Sequence, residues 1–153
     1  MVTEEEMKKV IANAKSEQAK PVYSVTPEEM QRFKENAKLP YLIANKKREH
    51  DDKHGVSATA GYGLIEEKCR ISETSMKKTI NGSTRVTRTF LYKFTIGLQM
   101  SLDEANELFA LCGGPLRETD IADYICINYL NTHDDINLFY EQYEKYVEKK
   151  LTR

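Results

Sequence analysis

A run of hydroxyl, amide and cationic side chains between residues 72 and 88 is where this chain has the means to do chemistry. Ser72, Thr74, Ser75, Lys77 and Lys78 are followed by Asn81, Ser83, Arg85, Thr87 and Arg88. Lysine and arginine give charge-assisted hydrogen bonds to phosphate, and hydroxyls and amides bond phosphate oxygens or base edges. Ser72 stands where an N-cap belongs, since its hydroxyl can accept from the free N–H groups of the next turn. On a helix begun at Glu73, Met76 and Ile80 share one face, and Thr74, Lys77, Lys78 and Asn81 share the opposite one. A small, polar, lysine-bearing face of this kind is what a DNA major groove accepts. The solvated face of an ordinary helical hairpin fits the same spacing.

Other chemistry is sparse. His50, Asp51 and His54 are spaced so that both histidines share a helix face, which zinc can use. Glu49 does not complete an HExxH pattern and no further His or Cys stands nearby, so a solvated charged face is the expectation for KKREHDDKH. No metal and no cofactor is expected. Gly-rich phosphate loops, nucleophile motifs and paired Cys/His sets are missing from the sequence. Asp134-Asp135 reads as a helix cap, and histidines 50, 54 and 133 stand in polar settings that suit general acid–base work poorly. A non-enzyme is expected.

The elements that position the 72–88 groups can be read from the pattern around them. Residues 64–82 read as two short helices joined by a tight turn, with Ile65, Cys69, Ile71, Met76 and Ile80 or Thr79 facing neighbours. Asn81-Gly82 supplies a stop. After it come a basic loop, the apolar helical pattern FLYKFTIGLQM, and then SLDEANELFALCGG. This order resembles the Cro/lambda-repressor-like (XRE-type) helix-turn-helix family. The matching elements are Asn81-Gly82, the loop 83–88, Leu98-Gln99-Met100-Ser101, Leu102-Asp103-Glu104-Ala105 and, upstream, His54-Gly55-Val56-Ser57. The resemblance covers roughly residues 39–112, and 116–147 looks like the extra helix pair of some bacterial and phage members.

The resemblance implies an all-α, lambda-repressor-like helix-turn-helix bundle with an N-terminal helical arm and a C-terminal helix pair. The implied division is 1–37, 38–112 and 113–153. The implied function is a DNA-binding transcriptional regulator of the repressor kind, bound to double-stranded DNA as a homodimer. Thr74, Ser75, Lys77 and Lys78 then face bases or phosphates, Ser72 and Asn81 flank them, and Ser83, Arg85, Thr87 and Arg88 hold the backbone. Two positions depart from the family pattern. Glu66 replaces the small residue at the helix–helix contact, and Arg70 replaces the turn glycine, where positive φ is uncommon for other residues. They support a rival: a protein-interaction module that keeps the fold without reading DNA.

Along the rest of the chain, Thr3-Glu4-Glu5-Glu6 and Ser101-Leu102-Asp103-Glu104 have the form of capping boxes. The first opens a helix with Met7, Val10, Ile11 and Ala14 on a weak stripe, broken at Lys20-Pro21. Thr26-Pro27 starts a second, carrying Met30, Phe33 and Ala37. Leu39 to about Lys53 reads as a separate helix. In ATAGYG, two glycines delay the next helix to near Tyr62. Helices are expected over 118–131 and, capped by Asp134 or Asp135, through Phe139, Tyr140, Tyr143, Val147 and Leu151. The aromatic stripe Phe139, Tyr140, Tyr143 and Tyr146 motivates dimerisation there, or packing on 118–131.

Net charge is −1 and 31% of residues are charged. That average hides a polarity: residues 68–93 hold seven basic side chains against Glu73 alone, and 101–153 hold eleven acidic against five basic. The basic stretch therefore predicts a positive patch on the helix-turn-helix. No run reaches the roughly 18 apolar residues of a membrane span, and residues 1–20 lack the apolar core of a signal peptide. Cysteines 69, 112 and 126 form no CxxC pair, so reduced thiols and a cytoplasmic setting are expected.

Overall fold

The computed structural model describes residues 3–9 and 26–147. Every regular element among these residues is helical, and the protein is all-α there. The chain divides into two units, Met1–Lys34 and Glu35–Arg153. In the first unit, residues 4–9 are helical, and Thr3 and Glu6 close the expected capping box through Glu6 N–H to Thr3 Oγ1 at 3.1 Å and Thr3 N–H to Glu6 Oε2 at 3.3 Å. The expectations for Val10, Ile11, Ala14, Lys20-Pro21 and Leu151, and for the side chain of Phe33, lie outside the described residues.

Seven further helices follow: α1 Pro27–His54, α2 Ala58–Cys69, α3 Glu73–Ile80, α4 Arg88–Gly97, α5 Leu102–Phe109, α6 Ile121–Thr132 and α7 Ile136–Val147. Thr26 caps α1 as its sequence suggests, accepting from Glu29 N–H at 3.1 Å. The expected break near Leu39 is absent, and α1 runs through Pro40. Proline removes one rung of the ladder there. Full burial of Leu39 and Ile43 on either side outweighs that local loss.

The second unit is built around α4. All seven residues from Phe90 to Ile96 are buried, and α4 packs against α2, α5, α6 and α7. A helix buried on every side must satisfy its polar groups internally, and Thr95 does so by donating Oγ1–H to Leu91 O at 2.6 Å. Where α4 meets α2, Gly97 is required: a Cβ there would stand 2.3 Å from Cys69 Sγ and 2.7 Å from its Cα. The small residue at this crossing is thus on α4.

Two further expectations are corrected. α2 begins at Ala58, not Tyr62, with Ser57 capping it and Gly61 inside it. A Cβ on Gly61 would collide with the Asp51 carboxylate at 2.0 Å, so the glycine serves a close approach of α1 and α2. The charged end of α1 is not simply solvated either: Lys47, His50 and Asp51 are buried beneath α2. Lys47 Nζ donates to Asp51 Oδ2 at 2.6 Å and to Ala58 O at 2.9 Å, and lies 4.1 Å from the Tyr62 ring centre.

Candidate nucleic-acid interface

The turn between α2 and α3 is short and sharply shaped. Arg70 ends α2 in the left-handed conformation (φ 57°, ψ 38°), its N–H bonded to Glu66 O at 2.9 Å. A non-glycine residue here carries mild strain, and the last helix supplies what holds it. The Arg70 guanidinium lies 3.9 Å from the Tyr140 ring centre and donates to Asn137 Oδ1 at 3.4 Å. Tyr140 Oη donates to Arg70 O at 3.4 Å. Glu66 is half-buried.

Ser72 then caps α3, accepting from Ser75 N–H at 3.2 Å and donating to Ser75 Oγ at 3.0 Å. Met76 is fully buried and Thr79 nearly so, while Thr74, Lys77, Lys78 and Asn81 are exposed. The helix phase read from the sequence is therefore the observed one. The helix stops at Asn81-Gly82, where Asn81 Oδ1 accepts from Ser83 N–H at 2.9 Å and from Ser83 Oγ at 2.5 Å.

The side chains expected to act together divide into three groups. Lys77, Lys78, Thr74, Asn81, Ser83 and Arg85 lie open to solvent around the exposed side of α3 and the loop after it. Ser72 and Thr87 are occupied as cap residues, Thr87 accepting from Phe90 N–H at 3.1 Å, and Ser75 is bonded to Ser72 through its N–H and its Oγ. Arg88 is turned inward. Its guanidinium donates to Cys112 O at 2.6 Å, Gly114 O at 2.7 Å and Asp123 Oδ2 at 2.8 Å, which takes it out of the set that can reach a phosphate.

Asp123 is the centre of that internal network and is only 1% exposed. It also accepts from Tyr92 Oη and from Arg117 N–H at 3.1 Å. Burial pulls the Arg88 guanidinium pKa down, but its contacts with Asp123 and Tyr92 outweigh that and hold it above the ordinary arginine value. Burial, then the Asp123 carboxylate, pushes the Tyr92 phenol up, so it stays a donor. Nothing in the local sequence marked Asp123 for this role, because its side-chain partners Tyr92 and Arg88 lie 31 and 35 residues away.

Set against known protein families, curated proteins and solved structures, the chain matches none.

The geometry also revises the electrostatics. Of the seven basic residues between 68 and 93, four are engaged or buried in the fold. Lys68 bonds His50 and His54, Arg70 lies on Tyr140, Arg88 pairs with Asp123, and Lys93 is 4% exposed. Lys77, Lys78 and Arg85 remain to face solvent, and Lys77 lies 3.4 Å from Glu73 Oε2. The cysteines are free; Cys69 and Cys126 are buried, which pushes both thiols up and leaves them inert as nucleophiles.

The C-terminal aromatic stripe is taken up internally. Phe139, Tyr140 and Tyr143 are buried, with Phe139 packed on Tyr92, Tyr129 and Tyr143, and Tyr146 alone of the four is exposed. Asp135 caps α7 through Oδ1, accepting from Asn137 N–H at 2.6 Å, and Asp120 caps α6, which begins at Ile121. No helix among the described residues is long and apolar enough to cross a membrane.

Proposed function

We propose that the protein binds double-stranded DNA with α3 in the major groove, as a transcriptional regulator whose 39–112 region resembles the Cro/lambda-repressor-like helix-turn-helix family. The observation that carries this reading is the division of α3. Met76 and Thr79 seal its back into the core, while Thr74, Lys77, Lys78 and Asn81 are exposed on its outer side. Short polar and cationic side chains on a groove-sized helix supply base-edge donors and acceptors, and Ser83 and Arg85 beside it suit phosphate. A two-fold dimer would follow from this reading, since operators of such regulators mirror the protein's symmetry.

The test is fluorescence anisotropy with randomised duplex DNA at two salt concentrations. Three solvent-facing cations give, for each bound protomer, a slope of log affinity against log salt of about −3, shallow for a DNA-binding protein. Lys78→Ala and Arg85→Ala each reduce that slope by about one unit. The second reading, a protein-interaction module, is favoured by the Glu73–Lys77 pair, which offsets one of the three cations. It expects no measurable affinity for any duplex at low salt, in the wild type and in Arg85→Ala alike.

A further inference from the structure

All three histidines of the chain, residues 50, 54 and 133, line one cavity of about 400 Å3, together with Lys68, Asp134 and Asp135. His50 and His54 stand one turn apart on α1 with ring centres 4.1 Å from each other. Their Nε2 atoms converge on a single point, held by Lys68 Nζ at 3.1 Å from His50 and 3.0 Å from His54. An ammonium can only donate, so both Nε2 atoms present lone pairs. His54 Nδ1 lies 2.9 Å from the backbone oxygen of His50, which can only accept, so that nitrogen carries the proton. An imidazole with Nδ1–H fixed on a carbonyl and Nε2 unprotonated is in the state that ligates metal ions. His50 is 9% exposed, and its Nδ1 has no hydrogen-bond partner among the described residues.

We propose that His50 and His54 form a binding site for a divalent late first-row metal ion of the zinc class, with the Lys68 ammonium as its resident competitor. Imidazole nitrogen suits zinc, nickel and copper and not the hard cations magnesium or calcium. The ion takes the place where the two lone pairs converge, about 2.0–2.1 Å from each Nε2, and Lys68 swings into the cavity. Among the described residues no group of three metal-ligating side chains converges, so the remaining coordination positions belong to water. Such a site is open and exchanges its ion readily. Lys68 ties α2 to α1 here, so metal binding releases a tie on the helix that leads into the 70–72 turn.

The test uses the full chain and zinc chloride alone, read by calorimetry and by the 15N shifts of the histidine rings at neutral pH. One ion binds, the Nε2 resonances of His50 and His54 shift, and His54 Nδ1 stays protonated. His50→Ala and His54→Ala each abolish that binding. Lys68→Met strengthens it about tenfold or more, because a positive charge beside the ion is removed. Should Lys68→Met not fold, the ring shifts of the wild type decide alone. Saturation with zinc that leaves both Nε2 resonances unmoved, or binding that survives loss of both histidines, overturns the proposal. The site stands independently of DNA binding.

Discussion

Replacing Arg88 by methionine separates an internal role from a phosphate contact. The substitution keeps the aliphatic length and removes the guanidinium that donates to Cys112 O, Gly114 O and Asp123 Oδ2. Asp123 keeps Tyr92 Oη and Arg117 N–H but loses its cation while 1% exposed. Breaking a buried ion pair from one side costs about 3–5 kcal/mol. The Arg88 side chain is itself 26% exposed, which places the expectation at the lower end, about 3 kcal/mol. For a chain of this size that is a fall in Tm of about 6–12 °C. Urea unfolding followed by circular dichroism measures it. Asp123→Asn combined with Arg88→Met costs less than the sum of the two alone, because each removes the other's partner. A melting temperature unchanged in Arg88→Met, with one unit lost from the salt slope of DNA binding, would refute the reasoning and return Arg88 to the DNA-facing set.

Other outcomes follow from the same packing. Met76→Ala, at a site of zero exposure, lowers stability by about 2–5 kcal/mol in chemical denaturation; an unchanged midpoint would mean the phase of α3 is misjudged. Gly97→Ala forces a methyl against Cys69 and the carbonyl of Lys68, and overpacking of this kind costs about 1–3 kcal/mol or more. Its sign is read from the same denaturation curves. In metal-free buffer, burial, aided by Lys68 and His54, depresses the His50 pKa from 6.5 to about 4. The unfolded chain therefore takes up a proton that the folded chain refuses, and stability is lost as pH falls from about 6.5 to about 4, by at most about 3 kcal/mol. His50→Gln should lose less stability across that window than the wild type, and parallel pH profiles would exclude the role of His50.

What was legible in the sequence was what neighbours in sequence decide. Thr3, Thr26, Ser72 and Ser101 cap the helices their spacing announces. The two faces of α3 follow from a 3.6-residue period that needs no knowledge of the rest of the fold. Contacts between distant segments were not legible. A separate helix was expected from Leu39, and the burial of Leu39 and Ile43 that accompanies the run of α1 through Pro40 is not visible in the sequence. Two glycines placed the helix start near Tyr62, yet Gly61 lies inside α2, and glycine is needed there because the Asp51 side chain occupies the Cβ position. The positive stretch 68–93 looked like a surface patch, and adding charges along a chain cannot tell that Arg88 turns toward an aspartate 35 residues on.

The way Arg70 is held has a consequence for synthesis of the chain. A glycine at that position would let the 70–72 turn settle as soon as its two helices exist. With arginine there, the contacts that brace the turn come from Tyr140 and Asn137, some 70 residues later. Chains are made from the N-terminus at about 5–20 residues per second, so α2 and α3 leave the ribosome several seconds before the residues that brace the bend between them. The proposed recognition face therefore gains its brace only once α7 has been made. Moving the two helices into another protein would leave behind the brace on the bend between them, which sits in α7.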